Sequence, residues 1–253
     1  MKNVLNTLTA SLLFTLTFSC VLSAQEFQGT PEFEVHKVYP YTYTTESTLQ
    51  SANNLSDLDQ RFQTSWVKAY RSVEVIASRQ GNLEKAVGDN EMLTQEQKSL
   101  ISSADPGTEI LVNIEYIPEN SLQHNDVKQY DFSFSVEPEQ TASYAGGEEA
   151  LRKYLKETAM NKIPTGSFTG FDLSAIKFTV NEKGQIVNAH VFKSVYLNSG
   201  NEQIENLLLQ AINQMPAWNP ATFTNGVKTS QDFVLTVGNQ ESCAMNLLDI
   251  QRN

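Results

Sequence analysis

Cysteine, histidine and positive charge are all scarce in this 253-residue sequence: it has two cysteines, three histidines, and 18 lysines and arginines against 29 aspartates and glutamates. The histidines, His36, His124 and His190, are scattered, and none has a second histidine or a cysteine at metal-ligand spacing. No metal site is expected. The sequence also lacks a Gly-x-Ser-x-Gly elbow, a glycine-rich phosphate loop and a His-Glu-x-x-His helix, so the common nucleophile, nucleotide and zinc-hydrolase chemistries have no signature and no cofactor is expected. Glu148-Glu149 falls at a helix start and Glu137/Glu139 in a linker, where acids serve as dipole partners and solvated charge rather than as an acid–base pair. An enzyme is therefore not expected. The formal net charge of -11 repels phosphate backbones and anionic lipid, which argues against nucleic acid as a partner.

Long apolar runs are absent except at the start. Lys2 precedes an apolar or small-residue run from Leu8 to Leu22, and Ser23-Ala24 offers small residues for cleavage, so Met1 to Ala24 reads as an export signal. The mature chain then begins at Gln25, and the expected location is periplasmic or otherwise exported. Two alternatives compete. Cys20, preceded by the small Ser19, is a possible lipoprotein acceptor that would tether the chain to a membrane; the run is also a candidate uncleaved anchor. Thr17 and Phe18 fit a lipidation motif poorly, and the run is marginal in length for a bilayer. With Cys20 either removed or lipidated, Cys243 has no partner for a disulfide, and it reads as a small buried hydrophobe rather than a redox thiol.

What remains is a globular composition, 40% hydrophobic and 19% charged, in a chain long enough for two small domains. The expected fold class is α+β, with one unit over residues 25–140 and a second over 141–253, joined by a short linker from Glu137 to Gly147. Pro31 and Pro40 interrupt a Tyr-rich and β-branched stretch before Thr48 that fits one or two strands. A Ser56 cap with Asp59 three residues on predicts a helix carrying Leu58, Phe62, Trp66, Ala69 and Tyr70, after which Val73, Val75 and Ala77 switch to period two. The return near Leu83 to Val87 follows the turn Gln80-Gly81-Asn82. Thr94 predicts a cap for the helix TQEQKSLISSA, Asp105-Pro106-Gly107 a turn, and Glu109 to Ile117 and Gln129 to Val136 two strands.

The second half is more regular. Gly146-Gly147 breaks the chain before a helix with Leu151, Tyr154 and Leu155 on one face, which Pro164 closes. Ile176, Phe178 and Val180 alternate with polar residues, Asn181-Glu182-Lys183-Gly184 makes a turn, and Ile186 to Val195 returns, which predicts a hairpin. Ile204, Leu207, Leu208, Ala211, Ile212 and Met215 form one helical stripe, stopped by Pro216. Met215-Pro216-Ala217-Trp218-Asn219-Pro220-Ala221 is an aromatic-proline bend, Asn225-Gly226 a turn, and Phe233, Leu235 and Val237 alternate in a last strand with one face toward the core. Trp218, held between Pro216 and Pro220, reads as a plug between helix and sheet rather than as a ligand platform.

This order of helix, hairpin, helix, aromatic-proline bend and strand, over residues 146–237, resembles the C-terminal domain of TonB. The resemblance implies two helices packed on an antiparallel sheet and a non-catalytic role in binding protein partners of the cell envelope, including N-terminal segments of outer-membrane transporters. In that family the domain adds a partner segment to an exposed sheet edge. The corresponding edge here is Lys228 to Val237, with Lys228, Ser230, Asp232, Val234 and Thr236 as candidate contacts and Pro216, Trp218 and Pro220 as the motif. The long Pro-rich spacer of a TonB energy transducer is missing, so capture of partners is expected rather than energy transduction. The alternative is a structural subunit of an envelope assembly. An exposed edge is a liability that proteins commonly cover, and Ser242 to Ile250, apolar at Cys243, Met245, Leu247, Leu248 and Ile250, is expected to fold back over it.

Overall fold

The computed structural model describes residues 30–119, 126–169, 172–193 and 201–238, and within them the protein is mixed α+β with two large sheets. The signal, Cys20, His124, Cys243 and the segment Ser242 to Ile250 lie outside the described residues. Among the described residues no helix is long and apolar enough to cross a membrane.

The first two strands, β1 (Glu32–Lys37) and β2 (Tyr43–Thr45), part company at once and enter different sheets. After β2 come α1 (Glu46–Ser51) and the single turn α2 (Leu55–Leu58), then β3 (Val67–Arg79), β4 (Asn82–Gly88), α3 (Gln95–Ser102), β5 (Glu109–Pro118) and β6 (Lys128–Glu137). The first sheet has the order β2-β6-β5-β3-β4. Its core gathers Phe62, Val73, Val75, Ile110, Val112, Ile114 and Phe132 with Leu100 and Ile101 of α3. Thr94 accepts the Gln97 N–H while the Gln97 side chain accepts that of Thr94, a reciprocal cap that starts α3. The fully buried Gln97 also donates to the Val73 carbonyl at 2.9 Å, which pins the helix to β3.

The helix expected from Ser56 through Tyr70 is replaced by short turns and a strand. Asn54, not Ser56, makes the cap, exchanging hydrogen bonds with Asp57, and α2 ends at Leu58. Asp59 then turns the chain: its carboxylate accepts from the Arg61 N–H and guanidinium and, at 3.0 Å, from the Tyr130 hydroxyl. Burial pushes the Asp59 carboxyl up, but these three donors together outweigh it and hold it below the usual carboxylate range. Ala69 and Tyr70, counted as helical by their spacing, sit in β3, which runs for 13 residues.

The second unit contains β7 (Ser143–Tyr144), α4 (Gly147–Thr158), β8 (Leu173–Val180), β9 (Ile186–Val191), α5 (Glu202–Asn213), the short β10 (Trp218–Asn219), β11 (Ala221–Thr222) and β12 (Lys228–Thr229), and β13 (Gln231–Gly238). Asn201 caps α5 by accepting from the N–H groups of Gln203 and Ile204. Leu151 and Leu155 of α4 and Ile204, Leu208 and Ile212 of α5 face Ile176, Phe178, Phe233 and Leu235 of the sheet. Leu155, Leu208 and Ile212 have no solvent exposure, and burial of each such side chain contributes about 1.5–3 kcal/mol. The Tyr154 hydroxyl donates to the Ala211 carbonyl at 2.9 Å and ties the two helices together.

The second sheet has the order β1-β13-β8-β9. Its outermost strand therefore comes from the start of the chain, so the unit expected over residues 25–140 gives up Glu32–Lys37 to its neighbour. The linker expected from Glu137 to Gly147 is divided between the two: Glu137 ends β6 and Glu139 bonds to α1, whereas Gln140 bridges to Thr222, Tyr144 and Ser143 pair with Trp218 and Asn219, and Ala142 and Tyr144 are buried.

Candidate functional site

Trp218 is 5% exposed and lies at the centre of an aromatic cluster, with ring centroids 5.0 Å from Phe233, 5.9 Å from Phe178 and 5.9 Å from Tyr144. Its indole N–H donates to the Met215 sulfur at 3.1 Å. Its backbone N–H donates to the Gly184 carbonyl at 2.8 Å, which fastens the bend to the β8–β9 turn. Gly184 has φ +75°, and a side chain there would collide with the Trp218 carbonyl oxygen. Pro216 is exposed and Pro220 half-buried at the two ends of this segment.

The expectation of an exposed edge over Lys228 to Val237 is corrected. Lys228 belongs to β12 and pairs with β11 rather than continuing β13. Ser230 donates to Glu182 at 2.7 Å, and Asp232 accepts from Thr179 at 2.7 Å. Val234 and Thr236 are buried at 1% and 0% exposure. The physical reason is that β13 is flanked on both sides, by β8 and, antiparallel, by β1 in the register Glu32↔Gly238 to Lys37↔Phe233. Nor is one face of β13 exposed: Val234 packs with Leu173, Ala175 and Phe192 on the side away from the helices. The strand beside β13 is thus Glu32–Lys37, whereas the segment expected there, Ser242 to Ile250, lies outside the described residues.

The hydrogen-bond direction follows from one anchor. Val38 N–H donates to the Asp232 carbonyl at 2.8 Å, so by antiparallel alternation Asp232, Val234 and Thr236 turn their backbone groups toward β1, and Glu32, Glu34 and His36 turn theirs toward β13. Phe33, Val35 and Lys37 then present N–H and C=O outward. Phe33 and Val35 direct their side chains to the helix-side core, and Glu34 alternates to the other face, where it lies 3.1 Å from the His36 imidazole.

Polar contacts lock β1 and the second unit to the first sheet. Lys37 forms an ion pair with Glu137, the two side chains being 10% and 12% exposed. Gln231 donates to Glu137 and accepts the Ala142 N–H at 2.9 Å. At the start of α1, Glu46 accepts the N–H of Thr224 at 3.0 Å and its hydroxyl at 2.7 Å. The Lys37–Glu137 pair is costly to break from one side, because the remaining charge stays largely buried.

Beyond β1 the surface opens into a groove of about 460 Å³ between the outer side of that strand and α4. Thr30 to Glu34 form one wall and Arg152, Lys153 and Lys156 the other. Among the described residues no group of His, Cys, Asp and Glu side chains is arranged to hold a metal ion. Tyr70 shows the other kind of polar burial: its hydroxyl has no hydrogen-bond partner, and burial together with the Glu91 charge pushes it up to about 12.

Sequence reasoning missed β1 as the neighbour of β13 and missed the groove. The alternation of Phe33 and Val35 with Glu32, Glu34 and His36 is a strand signal, but nothing in it names a partner 202 positions away. No family model matches the chain, and no curated protein or solved structure matches it significantly.

Proposed function

We propose that the protein is a non-catalytic, exported interaction module of the cell envelope. In this reading residues 146–237 form a TonB C-terminal-like domain, and partner proteins bind as extended segments added to the sheet. The observation that carries the reading is the pairing of β1 with β13, in which a six-residue extended segment, remote in sequence, occupies the sheet beside the last strand with unbroken register. A sheet that takes such a segment from its own chain uses the backbone hydrogen bonds that strand capture from a partner requires. The groove then replaces Lys228 to Val237 as the place where a further segment enters. Outer-membrane transporter N-terminal segments belong to the class of partner this mode accepts.

Photo-crosslinking in native envelope tests the proposal. A crosslinking residue at Glu34, whose side chain is 53% exposed, is expected to capture envelope proteins, whereas one at the 80% exposed Leu83 on the first sheet is not. Equal capture at both positions, or none at Glu34, would count against it. A stable homo-oligomer on size exclusion with no captured partner would favour a structural subunit instead.

A further inference from the structure

We infer that the outer edge of β1 and the cationic flank of α4 form a binding site for an extended acidic segment of a partner protein, which joins the second sheet as a fifth strand. The inference rests on the interaction-module reading above and adds the site and the chemistry of its ligand.

The backbone supplies the first part. Phe33, Val35 and Lys37 present their N–H and C=O groups away from β13, and among the described residues no strand pairs with that side. The spacing of about 6.8 Å between alternate residues of an extended chain matches another extended chain. Edges are commonly disabled by bulges or by proline, yet β1 pairs with β13 through six consecutive residues without a register shift, and Pro31 and Pro40 lie outside it. The opposite edge of the same sheet differs. There the β8–β9 pairing carries a register shift, and Asn188 in β9 has φ +54°. The outer edge of β1 is thus the regular edge of this sheet.

Charge supplies the second part. Arg152, Lys153 and Lys156 are all exposed, lie on one flank of α4 and line the groove. None of them makes an ion pair among the described residues. The Arg152 guanidinium stands 5.2 Å from the centre of the Phe33 ring, which sets the cationic wall directly beside the strand. Glu32 and Glu34 belong to the opposite wall of the same groove, so three cations face two acids across it. The three cations outnumber those two acids, which leaves the groove locally positive in a chain with net charge -11 and favours an acidic ligand there. The strand-like row of donors and acceptors selects a peptide over a compact anion. In an added strand, alternate side chains face α4, and those positions are the ones expected to carry Asp or Glu.

The test uses the mature full-length chain and fluorescently labelled short peptides in three series: Val/Thr alternating with Asp/Glu, the same peptides with Lys at the acidic positions, and the same with Gln. Anisotropy is expected to show the acidic series binding best and weakening with added salt. The exposed-site variant R152E/K153E/K156E is expected to bind it about tenfold more weakly or worse and to prefer the Lys series, as rim charges set partner choice. Val35→Pro removes an outward N–H while leaving the ladder to β13 intact, so it is expected to lose binding as well; urea unfolding checks that both variants are folded. Because the charge-reversal variant alters only exposed side chains, it carries the test if Val35→Pro fails to fold. Peptide binding that ignores charge reversal would overturn the groove assignment and leave strand capture standing. Failure of all three series to bind the unaltered chain would overturn both.

Discussion

In the first sheet β3 meets β4 across Gln80-Gly81, and β5 meets β6 as the next strand in the chain, whereas the second sheet takes its outermost strand from 202 positions away. Their burial differs in the same sense. Strand β3 alternates buried and half-buried positions from Val73 to Ala77, the pattern of a sheet with one wet face, while β13 is buried at seven of its eight positions. A strand covered on both faces with an open flank would leave a row of buried, unpaired amides, each costing about 1–3 kcal/mol. Pairing with β1 removes that cost and moves the open edge outward to residues that are only half-buried, beside the cations of α4. The second sheet is completed beside β13 by Glu32–Lys37, a segment remote in sequence.

The largest test of this division is Trp218→Ala. Deleting a buried aromatic that contacts Tyr144, Phe178 and Phe233 is expected to cost about 3–5 kcal/mol. In urea the loss should fall on the second unit and leave the transition reporting on β3 and β5 in place. A shift of both together would mean that the Lys37–Glu137 and Glu46–Thr224 contacts make the two units unfold as one.

Acid sharpens the contrast more gently. In the first unit Asp57, Asp59 and Asp105 are held below the usual carboxylate range. Asp57 is held by the backbone N–H groups of Asn53 and Asn54, Asp105 by the Ser78 hydroxyl and backbone N–H groups, and Asp59 by the donors that outweigh its burial. In the second unit only Glu182 is clearly lowered among the described residues, by the Ser230 hydroxyl. A carboxyl depressed in the folded state adds stability that is fully present above its unfolded value, about 3.9 for Asp, and is lost as pH falls through the lower folded value. Below about pH 4 the first unit is therefore expected to weaken before the second. Circular dichroism melts at falling pH, with the units resolved by their aromatic signals, check the order.

How much of this was legible depended on how local each cause was. The caps at Thr94 and the turn at Asn181 to Gly184 are fixed by residues within a few positions, and both appear in the structure as the sequence indicates. The stretch from Ser56 to Tyr70 misled because Leu58, Phe62 and Trp66 fall at helical spacing for reasons that are not helical. Phe62 is buried among Trp66, Tyr116 and Tyr130, and the last two arrive from strands β5 and β6. The candidate edge misled in a different way. Phe233, Leu235 and Val237 alternate with Val234 and Thr236, and a β-branched residue at the intervening positions fits an exposed or a buried face equally. Contacts remote in sequence decide between them: Leu173, Ala175 and Phe192 cover the face at Val234, and Glu32–Lys37 closes the flank.

Native-state hydrogen exchange on the full chain tests the central claim most directly, because the two flanks of β13 are read by different amides. Val234 and Thr236 turn theirs toward β1, and Phe233, Leu235 and Val237 turn theirs toward β8. The account predicts slow exchange in both sets, with the first set opening earlier because β1 is the less buried neighbour. Fast exchange at Val234 and Thr236, beside protected Leu235 and Val237, would show an open edge and contradict it.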